Sequence, residues 1–187
     1  LWADYVYLDT DERRRFAQVS HEYLIEQVQF QDSTAEHGSI TLNFNHPVKE
    51  LIWAGKLSVE WGTSASNAGT FGDIGGSSTT FQLKLNGHNR FAPQDMGYFA
   101  AQQIWKYHSG YGGLYVHGAG GLHYSIGVYS FALKPEEHQP SGTCNFSRID
   151  NAELKIEASH SDGYYVYAVN YNVLRIMSGM GGLAYSN

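Results

Sequence analysis

The stretch "SITLNFN", residues 39–45, places Ile40, Leu42 and Phe44 at every second position, with Thr41, Asn43 and Asn45 between them. Side chains alternate across a strand, so this pattern predicts a strand with one face buried and the other in water. The same period recurs at "TFQLKLN" (80–86), where Phe81, Leu83 and Leu85 alternate with Gln82 and Lys84, and at "AELKIEA" (152–158), where Leu154 and Ile156 alternate with Glu153, Lys155 and Glu157. These eight apolar residues are predicted to face inward, with Gln82, Lys84 and the three charges of 152–158 outward. Asn86-Gly87 ends the second segment with a dipeptide suited to a two-residue hairpin turn.

Further strand candidates are "HEYLIEQVQF" (21–30), "VKELIWAGKLSVEW" (48–61), "GVYSFALK" (127–134) and "YYVYAVNYNVLRIM" (164–177). The last is apolar on both faces, which predicts a central strand. Helix signals are few. "DTDERRRFAQ" (9–18) has Asp9 or Thr10 as a cap, acids in the first turn and arginines after them, with Asp9–Arg13 and Asp11–Arg15 pairs one turn apart. "PQDMGYFAAQQIW" (93–105) predicts a second short helix with Met96, Phe99 and Gln103 on one side. Two Gly/Ser-rich loops, 62–80 and 108–125, exceed the usual connection length and are expected at the surface. The expected fold is all-β, an eight-stranded antiparallel jelly-roll sandwich with short helices and long Gly/Ser-rich loops.

The 187 residues suffice for one domain with a proper core, and 21 glycines with 14 tyrosines suit a β-rich chain with many turns and large contact surfaces. A net charge of −6 argues against wrapping nucleic acid, which needs a basic face. One cysteine forms no internal disulfide, and no apolar run reaches the ~18 residues that cross a bilayer. The chain opens at Leu1 without Met and is read as a piece of something longer.

Residues 131–150, "FALKPEEHQPSGTCNFSRID", hold the residue types of metal and nucleophile chemistry: Glu136, Glu137, His138 and Cys144. Zinc needs three or four converging ligands. Here His138 precedes the single cysteine by six residues, across Pro140 and Gly142. No metal is expected at Glu136, His138 and Cys144, and the segment is read as an inter-strand connection. "LDTDE" (8–12) has an Asp-x-Asp spacing but fits a helix cap. The nine histidines form no zinc-protease motif, and "GYGGLYVHGAGG" (110–121) fits no phosphate-binding loop and is read as flexible. Asn145-Phe146-Ser147 is a glycosylation sequon. Trp53, Trp61 and Trp105 with the tyrosines allow a sugar-stacking platform, although strand aromatics more often serve cores and interfaces. No catalytic constellation is present and no cofactor is expected.

Longer blocks carry more information. "LDTDERRRFAQVSHEYLIEQVQ" (8–29), "FNHPVKELIWAG" (44–55), "LNGHNRF" (85–91), "YSFALKPEEHQPSGTCNFSRIDNAEL" (129–154) and "YAVNYNVLRIMSGMGGLAYSN" (167–187) together resemble the major capsid proteins of the nucleocytoplasmic large DNA viruses, the iridovirus, phycodnavirus and mimivirus-like group. The resemblance implies a double jelly-roll protein of which residues 1–187 are the C-terminal roll. It also implies homotrimeric, pseudo-hexameric capsomers in an icosahedral virion assembled in the host cytoplasm. Partners would be other copies, neighbouring capsomers and minor capsid proteins, without direct nucleic-acid contact or membrane insertion. Arg13, Arg14 and Arg15 are then candidates for a subunit or inter-roll interface, and Asn145 for glycosylation. The alternative is a lectin-like, glycan-binding β-sandwich.

Overall fold

The computed structural model describes residues 2–33, 38–56, 79–110, 114–116, 122–124, 126–157 and 163–186. After a helix α1 (Thr10–Gln18), the chain runs through β1 (His21–Ser33), β2 (Gly38–Thr41), β3 (Pro47–Gly55), β4 (Thr80–Leu85), β5 (His88–Asn89) and β6 (Gln94–Asp95). A π-helical stretch (Tyr98–Gln102) leads into α2 (Gln103–Tyr107). Then follow β7 (Leu114–Val116), β8 (Leu122–Tyr124), β9 (Ile126–Ser130), β10 (Cys144–Asn145), a 3-10 turn (Phe146–Arg148), β11 (Ala152–Glu157), β12 (Tyr164–Met177) and β13 (Met180–Leu183).

Two antiparallel sheets form the sandwich. One has the order β1-β12-β3-β10, with β9 also on β3 and β13 on β12; the other has the order β2-β11-β4-β5, with β6 on β4. The interior position of β12 between β1 and β3 matches its two apolar faces. In the second sheet Leu154 lies opposite both Ile40 and Leu83, and Ile156 opposite Phe81, so the three segments of alternating sequence share one buried face. Seven of the eight predicted core residues are at most 5% exposed, and Leu85 is partly buried against the same cluster.

Residues 28–170 form one compact unit. Its core joins the two sheets through aromatic contacts. The Trp53 ring of β3 lies 5.3 Å from Phe81 of β4 and 5.1 Å from Phe99 of the π-helical stretch. Each fully buried side chain of this size contributes about 1.5–3 kcal/mol relative to exposure. Gly127 of β9 is the cross-strand partner of Trp53, and a Cβ there would come within 2.4 Å of the indole. Glycine leaves the space that the ring occupies.

Polar side chains complete the unit where strands do not pair. From β1, Gln29 donates to the Asn45 carbonyl at 2.6 Å and accepts from the Asn45 N–H at 2.9 Å. Two residues on, Gln31 donates to the Thr41 carbonyl and accepts from the Asn43 N–H. The two amides thus imitate a neighbouring strand for residues 41–45. Asn86 and Gly87 take positive φ in the β4–β5 turn, as the dipeptide requires, and the side-chain Oδ1 of Asn86 accepts from the N–H groups of Asp150 and Asn151.

Three sequence expectations are corrected. Gln82 is buried (7% exposed), because its amide reaches the Phe91 carbonyl at 3.3 Å. The loop at 108–125 contains a two-stranded ribbon, Leu114–Val116 paired antiparallel with Leu122–Tyr124. The helix over 93–105 starts as a π-helix at Tyr98, with Asp95 Oδ1 accepting the Tyr98 N–H at 3.0 Å. Its inward side is Met96, Phe99 and Gln103, as the spacing predicts; Gln103 accepts from the Ser130 N–H and ties the helical segment to β9. Residues 62–78 of the first Gly/Ser-rich loop lie outside the described residues.

Candidate assembly surface

Residues 1–27 and 171–187 form a second compact unit. Asp9 caps α1, its Oδ1 accepting the Glu12 N–H at 2.8 Å, and none of the helix's nine residues is buried. All three arginines are exposed. The pairing differs from expectation: with Asp9 occupied as the cap, Arg14 pairs with Asp11 at 3.4 Å, and neither Asp9–Arg13 nor Asp11–Arg15 forms among the described residues. A pair this exposed is worth about 0–1 kcal/mol. Arg13 and Arg15 stand on other sides of the turn, 100° apart per residue, and present their guanidinium groups to the surroundings.

The rest of this unit is held by a few specific contacts. Phe16 stacks on His21 at 4.6 Å, Arg175 binds Glu22 with its Nη2 2.6 Å from Oε1, and Asn172 donates to Gln27 Oε1 and the Tyr185 carbonyl. Met177 and Met180 face each other across the Ser178-Gly179 turn that closes the β12–β13 hairpin, and both turn residues take positive φ. Much of the unit's apolar surface is nevertheless open: Trp2, Tyr5, Val6, Tyr7 and Met180 are each more than 70% exposed. Large apolar side chains this exposed are uncommon on a protein that has no partner to cover them.

Within residues 28–170, the connection 131–150 carries several tethers. Glu136 Oε1 accepts the Ser109 N–H at 2.8 Å, and the Ser109 hydroxyl lies 2.8 and 3.0 Å from the two carboxylate oxygens. These bonds hold the Glu136 carboxyl below the usual carboxylate range. Lys134 pairs with Glu137 at 3.0 Å, and His138 is exposed. Cys144 is half-buried on β10 opposite Val48, and burial pushes its thiol pKa up, away from nucleophilic thiolate character. Among the described residues no three His, Cys, Asp or Glu side chains converge as metal ligands. Gly142, with φ +151, passes so close to the Phe131 carbonyl that a Cβ would sit 2.6 Å from its oxygen.

In the sequon, Asn145 is exposed, but its Oδ1 accepts the Ser147 N–H, Phe146 is buried, and the Ser147 hydroxyl accepts the His46 N–H at 2.8 Å. The three residues thus have a structural role. Of the aromatics considered for sugar stacking, Trp53 is core at 1% exposure, Trp105 is 82% exposed, and Trp61 lies outside the described residues. Sequence reasoning missed the exposed Trp2–Leu8 segment and the role of His108, whose ring lies between the carboxylates of Glu50 and Glu136.

Residues 12–182 match the model of the large eukaryotic DNA virus major capsid protein family. The major capsid protein of Pyramimonas orientalis virus is 51% identical over all of this chain and 48% of its own length. That of Paramecium bursaria Chlorella virus 1 is 39% identical over all of this chain and 54% of its own length. The chain therefore spans about half the length of these relatives. Among solved structures, VP54 of PBCV-1, fitted into a reconstruction of the virophage Sputnik, superposes with a TM-score of 0.74 at 35% identity. That alignment covers 97% of this chain and 55% of VP54. The Faustovirus major capsid protein, at 13% identity and TM-score 0.59, shares the fold. An antiparallel jelly-roll sandwich, a family match from 12 to 182 and a half-identical capsid relative lead to one assignment: the chain belongs to the large eukaryotic DNA virus major capsid protein family.

Proposed function

We propose that this chain is the C-terminal jelly roll of a double jelly-roll major capsid protein, three copies of which form a pseudo-hexameric capsomer of an icosahedral shell. The observation that carries the reading is the family match over residues 12–182 by a chain about half as long as its relatives. The open apolar side chains of residues 2–8 and the arginines of α1 support it, since both need a neighbour. On this reading Trp2, Tyr5 and Tyr7 lie against the rest of the protein, while Arg13 and Arg15 make bidentate bonds to carboxylates of a neighbouring roll or subunit. Neighbouring capsomers and minor capsid proteins supply the remaining contacts, and assembly takes place in the host cytoplasm. Asn145 is the glycan acceptor if the chain meets the modifying enzyme. The role is structural and not enzymatic, and with a net charge of −6 it involves no direct nucleic-acid contact. The glycan-binding alternative has no support, since Trp53 is buried in the core and the relatives are capsid proteins.

The test is made on the complete two-roll protein. Sedimentation should give a trimer, and Arg13→Glu, Arg14→Glu and Arg15→Glu together should shift it toward monomer while the circular dichroism of the 187-residue chain stays unchanged. A trimer indifferent to charge reversal would remove the arginines from the interface. Salt-sensitive binding of duplex DNA, lost in the same variant, would show that the run serves nucleic acid instead.

A further inference from the structure

The connection that follows β9 is tied down by a small electrostatic device. Glu50, on β3, is 93% buried as a residue, with 9% of its side chain exposed, and its Oε2 lies 2.9 Å from His108 Nε2. His108 ends α2, where its own N–H bonds the Ile104 carbonyl. The other ring nitrogen, Nδ1, lies 3.5 Å from Glu136 Oε1 in the connection 131–143, and Glu136 also takes the Ser109 bonds described above. One imidazole therefore faces a carboxylate on each side and joins a strand, a helix end and a loop.

Neutral imidazole has one N–H and one lone pair, so it favours one carboxylate and repels the other. Imidazolium attracts both; the 2.9 Å approach of Nε2 to Glu50 Oε2 is an ion-pair contact, since neither atom has a partner in hydrogen-bond geometry. Among the described residues the other charged groups nearby are few: Lys49 on β3 acts on Glu50, Lys106 on α2 lies over the Tyr107 ring, and Lys134 is paired with Glu137. We propose that Glu50, His108 and Glu136 form a proton-operated clasp, which fixes the 131–143 connection to the end of α2 and releases it when His108 loses its proton.

The two carboxyls support this in opposite ways. Burial raises the Glu50 pKa, with His108 the first influence lowering it, so ionised Glu50 opposes folding once pH rises past the ordinary carboxylate range unless a cation faces it. Deprotonating His108 removes that cation and leaves Lys49. Glu136 is shifted down, first by the Ser109 N–H, so its contribution is present above the ordinary carboxylate range and is lost only as pH falls through its lowered value.

Hydrogen exchange of the 187-residue chain, corrected for the intrinsic pH dependence of exchange, tests this on peptides covering 104–110 and 131–143. In the wild type, exchange in both should rise about tenfold once pH is raised far enough to deprotonate His108. His108→Gln should remove this step, and His138→Gln, which changes the exposed imidazole of the same connection, should keep it. Glu136→Gln should leave the 131–143 peptide fast at every pH. If His108→Gln fails to fold, the wild-type, His138→Gln and Glu136→Gln profiles decide. A flat wild-type profile, a step that survives in His108→Gln, a step that disappears in His138→Gln, or a Glu136→Gln connection as protected as wild type would each overturn the proposal.

Discussion

Phe81 and Gly127 differ in how much of their role is written in the neighbouring sequence. Phe81 followed from period-two alternation, and it is fully buried between Trp53, Phe99 and Tyr164. Phe81→Ala should cost about 3–5 kcal/mol, read as a lower midpoint in urea denaturation with an unchanged slope. Gly127 looked like any other strand glycine. Its meaning depends on the cross-strand neighbour, because an added Cβ would lie 2.4 Å from Trp53 Cε2. The indole is packed against Phe81 and Phe99 and cannot swing away, so Gly127→Ala should cost about 1–3 kcal/mol in the same measurement. Wild-type stability in that variant would mean that the indole has another place to go. Gln82 failed for a related reason: alternation assigns a polar residue to solvent, and only the nearby Phe91 carbonyl makes its burial tolerable.

At the scale of elements, caps and turns were legible because their signals are local. Asp9 before α1 and Asn86-Gly87 after β4 both stand where their chemistry puts them. What was not legible is how such residues are shared. Asp9 serves as cap and so makes no pair with Arg13, while Asn86 also anchors the chain ahead of β11. The β7–β8 ribbon was missed because glycines surround its short apolar runs, and its pairing is not encoded in any one of them. Since α1 buries nothing and nine residues are marginal as an isolated helix, the cap is a large share of its stability. Asp9→Ala should lower that stability by about 1 kcal/mol, seen as roughly fivefold faster amide exchange across 13–19. Unchanged exchange there would show that α1 is held by contacts other than its cap.

For the molecule as a whole, the sandwich was legible from three alternating segments, since each strand carries the record of its own buried face. The exposure of the first residues was not. Tyr5, Val6, Tyr7 and Leu8 have the composition of a strand, yet no strand pairs with them among the described residues, and periodicity alone does not say whether a strand-like segment is paired. The consequence can be measured. With Trp2, Tyr5, Val6 and Tyr7 each more than three-quarters exposed, the 187-residue chain by itself presents apolar surface to water. Such surface drives association in proportion to its area, and backbone left unpaired in the same segment adds a template for edge pairing. The isolated chain should therefore sediment at micromolar concentration as species heavier than its 20.9 kDa monomer. Tyr5→Ser, Val6→Ser and Tyr7→Ser together should return it to monomer with its circular dichroism intact, because these residues contribute nothing to the buried core. A wild-type chain that stays monomeric, or association that survives the three serines, would place the sticky surface elsewhere.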